Sequence, residues 1–352
     1  MNIAIDISPL TTGHFLQHRV RGTGFYLESL KKALQEYYPE NKYRFFTRGE
    51  KLSKKINLVH YPYFEPFFLT LPLISRNKFV VTVHDLTPLV FPKYFPKGIR
   101  GSLKWQMQKF ILKKANAVIT DSKSSKKDIV RFAGISKNKV QVIYLAAGKE
   151  FKVNRNKEAI QKIKKKYNLP DKFVLYVGDV TWNKNLPNLV KAVQSIEVPL
   201  VLVGQALTNR DFDRSNPWNQ DLARVQKLAE NDKNIFTLGF VEKEDLVLLY
   251  NSAAVFAMPS FYEGFGLPIL EAMSCGCPVV TSKQGSIEEV AGDAAYYVDP
   301  YSRESIAEGI DKVFKDSTLQ KELSEKGIIQ SERFSWQDTA AETVKVYEAI
   351  IK

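Results

Sequence analysis

Residues 254–282 read AVFAMPSFYEGFGLPILEAMSCGCPVVTS. The two ends, Ala254–Ser260 and Pro278–Ser282, are short apolar runs of strand length. Between them, Pro268 suits the first turn of a helix, where its missing N–H has no partner to lose. Gly276 suits the stop that follows a last turn. The stretch is therefore strand, loop, short helix and strand, the repeating unit of a parallel α/β sheet. Two carboxylates sit inside it, Glu263 and Glu271, with seven residues between them. Gly264, Gly266 and Pro268 bar one continuous helix across that interval. Glu263 thus falls in the loop and Glu271 in the first turns of the helix. Backbone N–H groups of the glycine turn then point out between the two acids, a place for an anion flanked by hydroxyl groups.

The same alternation runs along the whole chain. Strand-like runs in the first half are Asn2–Ile7, Tyr43–Thr47, Ile56–His60, Phe79–Asp85, Ala117–Asp121 and a run centred on Val142. In the second half they are Phe173–Gly178, Pro199–Gly204, Ile235–Phe240, the two quoted above and Ala295–Asp299. Most are almost continuously apolar, as parallel strands covered on both faces must be. Helical patterns such as Gly24–Tyr38 fall between them. The reading is α/β, with two doubly wound Rossmann-like domains of parallel sheet, as 352 residues allow. The junction lies in the charged segment Asn154–Lys172, giving domains 1–165 and 166–336. Ligands are expected at the carboxyl ends of the strands, in a cleft between the two domains.

With 44% hydrophobic and 25% charged residues the composition is that of a soluble globular protein. No apolar run reaches the length of a membrane span. The opening MNIAIDISPL lacks the pattern of a signal peptide, so a cytoplasmic protein is expected. The net charge of +13 is unevenly placed, with 26 Lys and Arg against 10 Asp and Glu in residues 1–150. A basic half invites nucleic acid or an anionic membrane surface. Val90–Trp105 interleaves Tyr94, Phe95 and Trp105 with Lys93, Lys97, Arg100 and Lys104, which suits a bilayer interface. No nucleic-acid motif is present, nor a basic region carrying heptads.

Other signals exclude. Cys275 and Cys277 lack the two further ligands that zinc needs, so they read as small packed residues. Neither half carries G-x-G-x-x-G; Arg21–Leu27, RGTGFYL, lacks the third glycine, which disfavours a nicotinamide dehydrogenase. Asp211–Asp213 lies in a polar run with no apolar strand before it and reads as a plain loop.

Taken in order, these motifs resemble those of the family 4 glycosyltransferases, over nearly the whole chain. The specific part is E-x7-E with its interior G-F-G-L-P. GTGFY is similar to the family's N-terminal glycine loop, Thr82–Pro88 (TVHDLTP) to its H-D segment, and Asp121–Ile129 to its serine-bearing turn into a helix. Tyr176–Ala192 (YVGDVTWNKNLPNLVKA) resembles its phosphate-binding loop, and Leu238–Ala253 its base-contacting strand and following helix. Ser286–Pro300 matches the C-terminal pattern. The resemblance implies the GT-B fold, two Rossmann-like domains facing a cleft, with a last helix at 337–352 crossing back onto the first. It also implies transfer with retention of the anomeric configuration.

The resemblance further implies residue roles. Glu271 would accept from the ribose hydroxyls of a nucleotide and Glu263 from hydroxyls of the donor sugar, since a carboxylate accepts from two hydroxyls. Amides at Gly264, Phe265, Gly266 and Leu267 would face sugar and diphosphate, and Lys184 would neutralise the leaving diphosphate in place of a metal. His84 would contact the sugar. Asn185, Gly178, Gly24, Phe240 and Val241 complete the donor-binding set. Directly after the glycine matching Gly178 a base is usual, often an arginine; here it is Asp179. The implied reaction is a front-face displacement, in which the leaving diphosphate takes the acceptor's proton and aimed donors stabilise it. The expected partners are a nucleotide-diphosphate sugar, GDP-mannose being favoured, a glycan or lipid-linked acceptor, and the anionic inner face of the cell membrane. No metal or other cofactor and no nucleic acid are expected. The alternatives are another GT-B enzyme, a phosphorylase or a sugar-nucleotide epimerase, and a non-catalytic basic α/β protein binding membrane or nucleic acid.

Overall fold

A computed structural model describes residues 1–11 and 21–352. Each sequence-predicted strand is present, most shortened by a residue or two at the ends. The first sheet holds β1 (Asn2–Asp6), β2 (Lys42–Phe46), β3 (Leu58–Tyr61), β4 (Lys78–Thr82), β5 (Ala117–Thr120) and β6 (Val140–Val142). The second holds β7 (Val174–Val177), β8 (Leu200–Val203), β9 (Ile235–Leu238), β10 (Val255–Met258), β11 (Val279–Thr281) and β12 (Ala295–Tyr297). All pairings are parallel. The orders are β2-β1-β3-β4-β5-β6 and β12-β11-β10-β7-β8-β9. Strands β3, β5, β8 and β10 are buried at every residue, which is why β8 and β10 are unbroken apolar runs and the others carry a single buried polar residue, His60 or Thr120, rather than an alternating pattern.

In the second sheet the chain winds from β7 to β9 on one side, then returns to start β10 against the other edge of β7. The loops leaving β7 and β10 therefore diverge from neighbouring strand ends, the position where doubly wound sheets bind ligands.

The chain forms two compact units, residues 1–146 with 334–352, and residues 147–333. The sequence reading placed the boundary at 165/166. The helix Lys157–Lys166 belongs instead to the second unit, where Lys166 and Tyr167 both hydrogen-bond Asp245. The C-terminal helix Trp336–Ile351 belongs to the first unit. Its Tyr347 hydroxyl lies 2.7 Å from Nδ1 of buried His60, whose Nε2 meets Thr82 Oγ1 at 2.8 Å. Burial holds the His60 pKa down at about 3, so the imidazole there is neutral.

Two expectations are corrected. The glycine loop that the resemblance implies at Gly22–Gly24 is instead the start of the helix Arg21–Tyr37, which opens three residues before the helical pattern read from Gly24. Phe95 and Trp105 do not face outward. They are 4% and 5% exposed, and only Tyr94 of the three aromatics reaches the surface.

Candidate functional site

The site is assembled from the two diverging loops of the second sheet. The β10 loop ends at Gly266, which has φ +97° and caps the helix Leu267–Ser274 with Pro268 in its first turn. A side chain there would be strained in this left-handed conformation, so glycine is required. At the other end the amide of Gly276 donates to Met273 and that of Cys277 to Ala272, a Schellman closure with Gly276 left-handed at φ +71°.

Several bonds stitch the β7 loop to the β10 loop. The Phe261 amide donates to the Asn183 carbonyl at 2.7 Å, and Asn183 Nδ2 donates to the Tyr262 carbonyl at 2.9 Å. The Trp182 ring stacks on Phe261 with centroids 4.7 Å apart. Asn185 takes a left-handed conformation, φ 60°, and its Nδ2 donates to the carbonyls of Pro259 (2.9 Å) and Pro300 (2.7 Å). Its Oδ1 accepts from Asn188. The side chain of Asn185 is 1% exposed and joins three segments of the protein.

This framework brings Lys184 and Glu263 together. The ammonium donates to both carboxylate oxygens, at 2.9 and 2.7 Å, and Ser260 Oγ donates to Oε1 at 2.6 Å. The two side chains are 21% and 6% exposed. Behind Glu263 stands the β11 loop. Ser286 Oγ donates to the carbonyls of Glu263 (3.0 Å) and Phe265 (2.9 Å). Gly285 lies so close that a Cβ on it would sit 2.5 Å from the Glu263 carbonyl oxygen. Gly178 directly follows β7, and the carbonyl after it, on Asp179, accepts from the Tyr176 hydroxyl at 2.7 Å.

Glu271 lies on the helix, buried at 8% exposure, and Oε2 accepts from the Tyr250 hydroxyl at 2.8 Å. Burial pushes its pKa up from 4.5 to about 7; the Tyr250 bond and Lys243 oppose the rise, and Glu150 adds to it. The carboxylate is thus poised between charged and neutral. Phe240 is 69% exposed just beyond β9, and Val241 beside it is buried. Gly24 and His84 belong to the other unit. His84 Nδ1 bonds Asp121 Oδ2 at 2.6 Å, and its ring packs edge-on against Tyr26 at 4.8 Å. Burial lowers the His84 pKa, but the Asp121 carboxylate outweighs it and the net shift is upward. Burial also raises Asp121 against the pull of His84, so the pair holds a proton tightly.

Among the described residues no three His, Cys, Asp or Glu side chains gather as metal ligands would. Sequence reasoning missed Asn183, Ser260, Tyr250, Gly285 and Ser286. Their signal was only adjacency: each lies on a strand-end loop or on a helix packed beneath the glutamates.

Residues 11–147 match the model of Glycosyltransferase Family 4, and residues 157–330 that of Glycosyl transferases group 1. O-antigen chain mannosyltransferase B of Escherichia coli is 31% identical over 77% of this chain and 70% of its own length. Serotype-specific mannosyltransferase WbdA of Escherichia coli is 31% identical over 78% of this chain, which spans only 34% of that longer protein. Sucrose-phosphate synthase of Thermosynechococcus elongatus superposes with TM-score 0.77 over 99% of both chains at 20% identity. Anabaena HepE in complex with UDP-glucose superposes with TM-score 0.74 at 18% identity, over 99% of this chain and all of its own. Two six-stranded parallel sheets, the two family matches and a relative this similar over most of its length place the chain among the family 4 glycosyltransferases of GT-B fold.

Proposed function

We propose that the chain transfers mannose from GDP-mannose to a glycan or lipid-linked acceptor of cell-surface polysaccharide synthesis, retaining the anomeric configuration. The observation that carries this reading is the Lys184–Glu263 pair at the strand ends of β7 and β10, with Glu271 buried on the helix that Gly266 opens. In this reading Glu271 accepts from the ribose, Glu263 from the sugar hydroxyls, and Lys184 stabilises the departing diphosphate. An ammonium at that position does the work of a divalent cation, so turnover needs no metal. Backbone amides of the Gly264–Leu267 turn add donors to the developing charge. The acceptor attacks from the face the diphosphate leaves, and the diphosphate oxygen takes its proton. The mannosyl donor is supported by the names of the relatives, two of which are mannosyltransferases. The test is release of nucleoside diphosphate from GDP-mannose, UDP-glucose and related donors, with and without crude lipid acceptor. Turnover of GDP-mannose above the others supports the reading; preference for a uridine donor overturns the mannosyl assignment, and inertness to all donors overturns the enzyme.

A further inference from the structure

The helix Gly98–Lys113 is apolar on two opposite faces. One faces inward, with Trp105 5% and Leu112 0% exposed beside buried Gly101 and Gln108. The other faces out, with Ile99 83%, Leu103 62%, Met107 42% and Phe110 62% exposed. At about 100° per residue these four fall within about 80° of one another, on the side away from the buried set. Arg100 and Lys104 border the stripe on one edge, Lys109 and Lys113 on the other, and the helix contains no acid.

The patch extends past the helix. Gln108 Oε1 accepts from the amides of Thr70 (2.9 Å) and Leu71 (2.8 Å), fixing that segment against the helix. Beyond it Leu73 and Ile74 are 59% and 82% exposed, sharing a depression with Arg76, Ile111 and Lys114. Of twelve exposed large apolar side chains among the described residues, eight lie between positions 69 and 110. Scattered exposed apolar residues are ordinary; a contiguous patch of them needs a partner.

We propose that this face docks on an anionic lipid bilayer. The apolar stripe enters the boundary between headgroups and acyl chains, and the basic rows meet the lipid phosphates. Charge selects this occupant over a second copy of the chain. Two copies burying the stripe against each other would oppose basic rows with no acid on either helix to answer them, whereas an anionic headgroup layer answers both. The helix replaces the aromatic set of the sequence reading, since Phe95 and Trp105 are inside. The proposal rests on this face alone and not on the transferase reading.

The experiment is co-sedimentation with vesicles of phosphatidylcholine, with and without one-third phosphatidylglycerol, at low and high salt. The full chain binds the anionic vesicles at low salt, and binding falls about tenfold or more on neutral vesicles or in high salt. The triple variant Ile99→Ser, Leu103→Ser, Phe110→Ser loses about tenfold or more of that binding with an unchanged melting profile. The single variant Ile99→Asp, at the most exposed position, repeats the test with less risk to folding. Charge reversal by Lys104→Glu, Lys109→Glu and Lys113→Glu weakens binding independently. No binding to anionic vesicles at low salt, equal binding to neutral ones, or wild-type binding by the apolar variants overturns the proposal. So does self-association, seen by light scattering, that the triple substitution abolishes, because the stripe would then belong to a second copy.

Discussion

Replacing Glu271 by glutamine should make the folded protein more stable at alkaline pH. The carboxyl has an ordinary pKa of 4.5, raised by burial to about 7 in the folded state. The folded chain therefore holds this proton more tightly than the unfolded chain. Below 4.5 both states are protonated and the residue makes no difference. Between 4.5 and 7 only the unfolded state ionises freely, so stability falls as pH rises, and above 7 the loss is complete. At about 1.4 kcal/mol per unit the total is on the order of 3 kcal/mol. Glutamine keeps an acceptor for the Tyr250 hydroxyl and never ionises, so it escapes this loss. Urea melts of wild type and Glu271→Gln, followed by tryptophan fluorescence, give the difference at each pH. The variant should match wild type at the acid end and exceed it by about 3 kcal/mol at pH values above 7. A difference that stays constant with pH, or that favours wild type as pH rises, would refute the argument that burial controls this carboxyl. Binding follows from the same proton. On the proposed reading Glu271 accepts from two ribose hydroxyls and must first lose it, so nucleoside diphosphate affinity should fall about tenfold per unit below pH 7.

Three further perturbations separate the roles. Glu263→Ala should leave affinity for a bare nucleoside diphosphate nearly unchanged while cutting turnover, and Glu271→Ala should weaken that affinity by about 1.5–3 kcal/mol; calorimetry giving equal weakening by both would end the division between sugar and ribose. Lys184→Ala should lower kcat more than it raises the donor KM, and wild-type turnover should survive EDTA; activity lost to chelation and restored by a divalent ion would show that another group stabilises the leaving charge. Gly285→Ala places a Cβ 2.5 Å from the Glu263 carbonyl oxygen in a left-handed conformation, φ +68°. It should cost about 1–3 kcal/mol in a chemical melt and depress turnover; a neutral effect on both would mean the β11 loop does not position Glu263.

All twelve strands could be read from the sequence: central ones such as Leu200–Val203 and Val255–Met258 are dense apolar runs because both faces are buried, while the edge strand Lys42–Phe46 alternates. Their ends were read long, as in Phe79–Asp85: the strand closes at Thr82, and only the Val83 amide, donating to the Ile119 carbonyl, carries the ladder further before the polar His84 and Asp85. The placement of the two glutamates was legible for a different reason: the glycines and proline between them break helix and strand alike, which puts Glu263 in a loop and Glu271 on the helix that follows, whereas Lys184 was singled out only through the family resemblance. What failed was phase and local context. A composition of bases and aromatics does not say which side of a helix faces water. The helix Gly98–Lys113 is apolar on two faces, so Trp105 went inside and Ile99 outside. Gly22 and Gly24 read as a loop through the family resemblance, although the helical pattern already reached back to Gly24, and glycine's weak preference against helix does not stop it there. The burial of the Asn185 side chain was not legible, since nothing in N-K-N shows which polar side chain turns inward. The domain boundary was set too late because a lysine-rich helix reads as linker until its packing partner, Asp245, is seen.

The Lys184–Glu263 pair bears on how such a site waits for its donor. A carboxylate only 6% exposed would be costly to leave without a counter-ion, by several kcal/mol in typical interiors. Lys184 supplies one by placing two of its donors on the two carboxylate oxygens. An ammonium has three donors, so a third is left for a diphosphate oxygen without breaking the pair. An arginine matched to the carboxylate would commit its planar fork to Glu263, whereas lysine can rotate its donors between partners. On the proposed reading the charge of Glu263 is therefore cancelled while the site is empty. Donor binding then shares the ammonium between acid and phosphate, and the lone pairs of Glu263 not used by Lys184 and Ser260 accept from the sugar hydroxyls. The same geometry makes the two residues interdependent. Removing Glu263 leaves Lys184 to the diphosphate alone, while removing Lys184 strands a buried acid beside a dianion, so the lysine is the more damaging loss.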